Sequence, residues 1–250
     1  MTLFDAILLF LAGTAAGFVN VSAGGGSFLT IPLLIILGGL SPTAANGTNR
    51  VAVLMQNIIA ARNFRQHGFR DLRQGFKLGA SAMVGAIIGS LIAQDLSDSA
   101  FRTILSIIMI LALAVVIRPG RKHSVEYYTE QLKFPVLQIF LFFIIGIYGG
   151  FIQAGTGYLI IFSLSILGGL SLVKTNSLKM IIIASYLLPS LLIFIINGEV
   201  RWLPAIVLAA GTSAGGFFGS TFAIKKGDKW IRILLVAAII IMVSKMLELF

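Results

Sequence analysis

Two clusters of small and polar residues interrupt an otherwise apolar chain: Asn20-Val21-Ser22-Ala23-Gly24-Gly25-Gly26-Ser27, and Gly149-Gly150-Phe151-Ile152-Gln153-Ala154-Gly155-Thr156-Gly157. Glycine lets backbone approach a ligand closely. Short helices starting at Ser27 and Tyr158 would aim free N–H groups and a positive dipole end at the clusters, which suits an oxyanion. The helices that arrive at the same clusters end there, and their carbonyls would equally hold a cation or a proton donor. Thr48-Asn49 and Thr175-Asn176 follow each cluster at the start of a long helix. There they would act as N-caps, and a hydroxyl with an amide also suits orienting the oxygens of an oxyanion. Arg50, Lys174 and Lys179 lie beside these pairs, placed either to attract an anion or to snorkel to the headgroups. The candidate solute-binding residues are therefore Asn20, Ala23, Gly24, Gly25, Gly26, Ser27, Thr48, Asn49, Gln153, Gly155, Thr156, Gly157, Thr175 and Asn176.

Other chemistry is thinly represented. Gly211-Thr212-Ser213-Ala214-Gly215 fits the G-x-S-x-G nucleophile pattern, but it sits within an apolar run. The only histidines, His67 and His123, lie in loops, so no acid–base partner reaches Ser213. Cysteine is absent and no His/Glu cluster has ligand spacing. Neither an enzyme, a metal site nor a cofactor is expected.

The elements that carry the clusters must lie in lipid. Of 250 residues 58% are hydrophobic and 11% charged, with a mean hydropathy of +0.99, whereas soluble domains are roughly a quarter charged. The net charge of +10 resides in short loops between apolar runs, the pattern of membrane topology rather than of nucleic-acid binding. Leu3–Val19 lacks a basic leader and is read as a retained helix. Asp5 lies near the outer surface, and no carboxylate falls at the membrane centre to form a proton relay.

Ten apolar segments follow one another: Leu3–Val19, Phe28–Leu40, Ala44–Ala61, Phe76–Ala93, Phe101–Ile117, Val136–Tyr148, Tyr158–Leu170, Leu178–Ile196, Leu203–Ile224 and Ile231–Phe250. A span needs about 20 residues, and Phe28–Leu40 and Tyr158–Leu170 fall short at matching places. At an offset near 130, five features recur in order. Ala23-Gly24-Gly25-Gly26-Ser27 pairs with Ala154-Gly155-Thr156-Gly157-Tyr158, and Leu37-Gly38-Gly39-Leu40-Ser41 with Leu167-Gly168-Gly169-Leu170-Ser171. Thr48-Asn49 pairs with Thr175-Asn176, Gly85-x-x-x-Gly89-Ser90 with Gly215-x-x-x-Gly219-Ser220, and Asp98-x-x-x-Arg102 with Asp228-x-x-x-Arg232. The loop with Arg62, Arg65, Arg70, Arg73 and Lys77 is basic, but its counterpart Asn197–Trp202 is not; Gln94–Ala100 is acidic, but its counterpart Lys225–Trp230 is basic. Equivalent loops thus face opposite sides, which predicts inverted repeats with both termini outside. The expected architecture is an all-α, multi-pass protein of the bacterial inner membrane. Its first repeat is 1–118, its cytoplasmic linker 119–135 and its second repeat 136–250. Two re-entrant hairpins with six full spans is the favoured arrangement, and ten spans the alternative.

At these residues the sequence resembles the TauE/SafE family of membrane permeases. The motif is Gly17-x-x-Asn20-x-x-Ala23-Gly24-Gly25-Gly26-Ser27, followed by Pro32, Leu37-Gly38, Pro42-x-x-Ala45 and Thr48-Asn49, with a weaker copy in the second half. Gly47 departs from the Ala or Ser expected before Thr-Asn, and Gly155-Thr156-Gly157 from a triple glycine. The resemblance implies a sulfur oxyanion or organosulfonate such as sulfite as the solute, moved by a secondary transporter through alternating access. A passive anion channel with the same glycine-lined constriction is the alternative. The bilayer and a small anion are the expected partners. The sequence specifies neither a coupling ion, proton or sodium, nor an oligomeric state.

Overall fold

The computed structural model describes residues 1–22, 24–101, 103, 104, 107, 132 and 135–247. Ala23 and most of both the segment Phe101–Ile117 and the linker 119–135 lie outside the described residues. Among the described residues the helices before the linker are α1 (Leu3–Ser22), α2 (Ser27–Ile36), α3 (Pro42–Gln66) and α4 (Leu72–Gln94). After it come α5 (Pro135–Phe151), α6 (Thr156–Ile161) with a π-helical continuation Phe162–Leu167, α7 (Leu172–Ile196) and α8 (Trp202–Leu247). Helix α8 is broken at Gly227, where φ is 69° and ψ −171°. No strand occurs among the described residues.

Leu3–Ser22, Leu72–Gln94, Leu172–Ile196 and Trp202–Gly227 are long and apolar enough to cross a bilayer. Their outward side chains are apolar: Val84, Leu91, Ile206 and Phe218 are each more than half exposed, as lipid contact requires. Helix α3, 25 residues long, has the length but not the apolar surface. It buries Asn46, Thr48, Asn49, Arg50, Gln56, Asn57 and Asn63, because it is wrapped by protein instead of lipid.

Packing between the two halves is reciprocal. Helix α1 lies on α8, and α4 on α5; α3 lies on α8, and α4 on α7; α3 and α7 contact each other, and each carries its own short helix, α2 or α6. Small residues set the close crossings. Gly85 and Gly89 of α4 lie against the carbonyls of Phe143 and Ile147, and Gly211 and Gly215 of α8 against those of Phe10 and Thr14. Side chains at these glycines would collide with backbone, so the glycines serve helix approach, and Gly211-x-Ser213-x-Gly215 is part of this packing.

The starts of α3 and α7 lie at opposite ends of α4. Thr43 at the start of α3 donates from its hydroxyl and its N–H to Asp98, beyond the end of α4, at 2.9 and 3.4 Å. Lys174 at the start of α7 pairs with Asp71, just before α4, at 3.7 Å. A 23-residue helix separates those two aspartates by about 35 Å at 1.5 Å per residue. The Asp98 end also carries Glu199, whose carboxyl is held above its ordinary value by partial burial and by the Asp98 charge, against the pull of Arg201. Arg70, Arg73, Lys77 and Lys174 gather at the Asp71 end around a cleft of about 550 Å³.

Candidate functional site

Each glycine cluster breaks the chain between two helices that point into the middle of the bundle. In the first, α1 ends at Ser22, Gly24 takes φ 98°, and Gly26 precedes α2, its N–H donating to Asn20 Oδ1 at 3.3 Å. In the second, α5 ends at Phe151. Gln153 takes φ 65°, a conformation uncommon for a side-chain-bearing residue, and Gly155 takes φ 75° before α6. Helix α6 therefore starts at Thr156, two residues earlier than expected. The Thr156 hydroxyl donates to the Gln153 carbonyl at 2.6 Å and so holds this turn.

The two tips meet. A Cβ on Gly24 would lie 2.7 Å from the carbonyl carbon of Gly157, and one on Gly157 would strike the backbone of Gly24. Gly25 lies under the hydroxyl of Tyr158, and the rings of Phe28 and Tyr158 stack with centroids 6.4 Å apart. What the sequence presents as two separate places is one junction, with the first residues of α2 and α6 on either side of it. The junction is closed from water: Asn20, Ser27, Asn49, Gln153 and Thr156 are all buried.

Each tip is gripped by a cation from the long helix of the other half. Arg50 of α3 donates from Nη1 to Gly149 O at 3.2 Å and Ser190 Oγ at 2.7 Å, and from Nη2 to Gly150 O at 2.6 Å and Phe151 O at 3.4 Å. Its guanidinium carbon lies 4.2 Å from the centroid of the Phe194 ring. Lys179 of α7 donates to Asn20 O at 3.1 Å, Val21 O at 3.0 Å and Asn176 Oδ1 at 2.7 Å. The last carbonyls of a helix have no partner within it and carry its negative dipole end, so a cation is their natural complement. An amide joins each grip: Asn46 Nδ2 donates to Phe151 O at 2.9 Å, and Asn176 Nδ2 to Ser22 O at 3.1 Å. Arg50 and Lys179 are wholly buried and do not snorkel. The lone ion pair among the described residues is Lys174–Asp71, so neither grip contains a carboxylate.

Thr48-Asn49 and Thr175-Asn176 do not cap their helices and are not equivalent. The caps are Ser41, which accepts from Ala44 N at 3.3 Å, and Ser171, which accepts from Lys174 N at 3.2 Å. Counted from these serines, Asn176 matches Asn46, and the two make equivalent bonds. Thr48 instead accepts from the N–H of Arg201 at 3.0 Å and ties the start of α8 to α3, away from the tips. Asn49 belongs to the junction, since its Oδ1 accepts from Thr30 of α2 at 2.6 Å. The Thr175 hydroxyl is buried without a partner.

Several buried polar atoms at the junction remain unpaired: Asn46 Oδ1, Asn49 Nδ2, Arg50 Nε and both amide atoms of Gln153. Unpaired buried polar groups cost roughly 1–3 kcal/mol each, so each calls for a partner such as a solute, an ion or an ordered water. Three of these five atoms are nitrogen donors, which favours an acceptor-rich ligand. Sequence reasoning missed Asn46, Ser190 and the grips of Arg50 and Lys179. The available signal was two cations inside apolar helices, which marks intramembrane function.

The chain matches the family described as "Sulfite exporter TauE/SafE" over residues 9–246. A Haemophilus influenzae protein named "Probable membrane transporter protein" is 27% identical over 239 residues, covering 96% of this chain and 93% of that relative. The Escherichia coli K12 "Probable membrane transporter protein YfcA" is 29% identical over 241 residues, covering 96% and 88%. A Bacillus subtilis relative, "Probable membrane transporter protein YunE", is 23% identical over 249 residues, covering 90% and 91%. No solved structure matches. With a match running from α1 to the end of α8, and four helices able to cross the bilayer, the chain belongs to the TauE/SafE family of membrane transporters as a multi-pass cell-membrane protein.

Proposed function

We propose that this protein is a secondary transporter for a small anion, bound where the two glycine tips meet and moved by alternating access. The observation that carries this reading is the junction itself. It joins two broken helices, buried donors without partners, and two buried cations without carboxylates. A positive, donor-rich and water-excluded site favours an anion. Asn49, Gln153 and the backbone of Gly24, Gly25, Gly155 and Gly157 are assigned to the solute, with Asn20, Gly26, Ser27 and Thr156 shaping the tips. The family name makes sulfite or a related sulfur oxyanion or sulfonate the first solute to test. Burial of the whole junction favours a carrier in an occluded state over an open channel.

The reciprocal packing and the opposite-facing starts of α3 and α7 support inverted repeats, each with a tip that turns back within the membrane. Because the chain has no cysteine, single cysteines placed in Gln94–Ala100 and in Lys225–Trp230 are expected to react with an impermeant thiol reagent from opposite sides. Reaction from the same side removes the inversion.

Anion binding is tested by thermal stability in detergent. Sulfite, thiosulfate, alkanesulfonates and carboxylates are compared at matched ionic strength. A bound solute at about 100 times its Kd adds close to 3 kcal/mol, so the preferred anion is expected to raise Tm by several degrees, with a saturating dose response. Equal shifts for all salts, chloride included, would remove the anion site.

A further inference from the structure

The two grips do the same job with chemically different cations. Guanidinium stays charged at any biological pH, whereas a buried lysine exchanges its proton readily. We propose that Lys179 is the proton-coupling site of the transporter, binding a proton when it grips the end of α1 and releasing it when that grip opens. The inference rests on the anion-transport reading above and adds the identity of the coupling ion.

The hydrogen-bond count fixes the protonation state of the closed form. An ammonium has three N–H donors and no acceptor. Lys179 Nζ faces three oxygens, Asn20 O, Val21 O and Asn176 Oδ1, at 3.1, 3.0 and 2.7 Å. A neutral amine has two N–H donors and a lone pair, so one oxygen would lose its donor and face that lone pair in a site without water. The arrangement therefore belongs to the protonated form. Loss of the proton to water, on the side to which the site has opened, weakens the hold on Asn20 and Val21. Asn20 Oδ1 also accepts from Gly26 N at 3.3 Å, so this hold is continuous with the first tip and the start of α2. Proton and anion then share one closed state, and each must tighten the binding of the other.

The surroundings leave Lys179 as the group that titrates. Helices α1, α3, α4, α5, α6 with its π-helical continuation, and α8 all pack on α7. Among the described residues none of them presents a charged or titratable side chain that acts on Lys179. From α1 it meets backbone carbonyls, and from its own helix the neutral Asn176. The nearest functional analogue, Arg50, grips the other tip and keeps its charge throughout. Nor does a buried carboxylate replace it, since each buried charged side chain among the described residues is a cation.

The test uses the full-length chain in proteoliposomes with labelled thiosulfate and methanesulfonate, whose charges do not change near neutral pH. Any proton that moves then belongs to the protein. An inside-alkaline gradient is expected to raise uptake by the wild type about tenfold, within the usual range of coupling free energies, with internal acidification reported by a trapped dye. In Lys179→Arg the ratio of uptake with the gradient to uptake without it is expected to fall to about one and the pH profile to flatten, whatever the absolute rate. Lys179→Gln serves as the second variant and is expected to lose the gradient response too. Wild-type counterflow that ignores the gradient, or a gradient response in either variant equal to wild type, overturns the proposal. Absence of wild-type counterflow for both probes overturns the anion-transport reading instead.

Discussion

Replacing Arg50 by Met is expected to destabilise the protein more than any other single change at the junction. The guanidinium donates to the carbonyls of Gly149 and Gly150 and to Ser190. Methionine fills a similar volume but leaves the Gly149 carbonyl buried without a donor and the Gly150 carbonyl with Ser90 Oγ alone, where neither water nor lipid can replace the lost bonds. Hydrogen bonds to a charged group contribute roughly 1.5–3 kcal/mol each, so loss of the two carbonyl bonds alone amounts to about 3–6 kcal/mol. At about 2–4 °C per kcal/mol for a chain of this size, Tm in detergent falls by about 10 °C or more. Arg50→Lys keeps the charge but cannot span Gly149, Gly150 and Ser190 at once, and should fall between the two. A variant Arg50→Met that melts with the wild type would show that Arg50 does not hold the second tip.

The second large effect is on transport rather than stability. Gly157→Ala places a methyl group against the backbone of Gly24, and neither tip can yield without moving the groups proposed to bind the solute. Overpacking of this kind costs about 1–3 kcal/mol, so the protein should still fold. A displacement near 1 Å at a binding centre can reduce turnover about a hundredfold, and anion exchange is expected to fall by that order. Val84→Ala, on the lipid-facing side of α4 with Val84 55% exposed, is the matched control and should change neither property. Normal exchange by Gly157→Ala would show that the solute does not pass the contact between the tips.

The membrane class and the two glycine breaks were legible in the sequence, because hydropathy and glycine clustering are local signals. The crossing glycines Gly85, Gly89 and Gly215 were legible for the same reason: a four-residue spacing of small residues marks one face of a helix. That the tips touch was not legible. Gly24 and Gly157 are far apart in the chain, and nothing in either cluster encodes its distance from the other. Arg50 and Lys179 were ambiguous, since a cation near the start of an apolar helix reads equally well as a headgroup anchor. Only the placement of α3 and α7 inside the bundle, with carbonyl ends facing them, separates the two roles. The pairing of Thr48-Asn49 with Thr175-Asn176 failed because identical dipeptides outweighed register. Counted from the capping serines Ser41 and Ser171, Asn46 and Asn176 fall at the same position and make matching bonds to the tips.

The alternation of buried and exposed sides also explains why α3 carries so little hydrophobicity. Its polar residues face other helices and one another, as Asn63 does when it donates to Ser220 of α8 at 2.7 Å. A helix of this kind is held by hydrogen bonds and close packing in the membrane interior, since lipid supplies no hydrophobic drive between helices.

Counterflow of labelled sulfite through proteoliposomes, measured side by side for the wild type and Asn49→Ala, tests the anion site at the junction most directly. Asn49 packs against the start of α2 through Thr30 and keeps its Nδ2 unpaired, so it can lose its solute contact while the helices remain in place. Saturable exchange is expected of the wild type and a loss of about tenfold or more of Asn49→Ala, as follows when a hydrogen bond to a charged solute worth roughly 1.5–3 kcal/mol is removed, with Tm within a few degrees of wild type. No exchange by the wild type, or equal exchange by both proteins, would contradict an anion site at the junction.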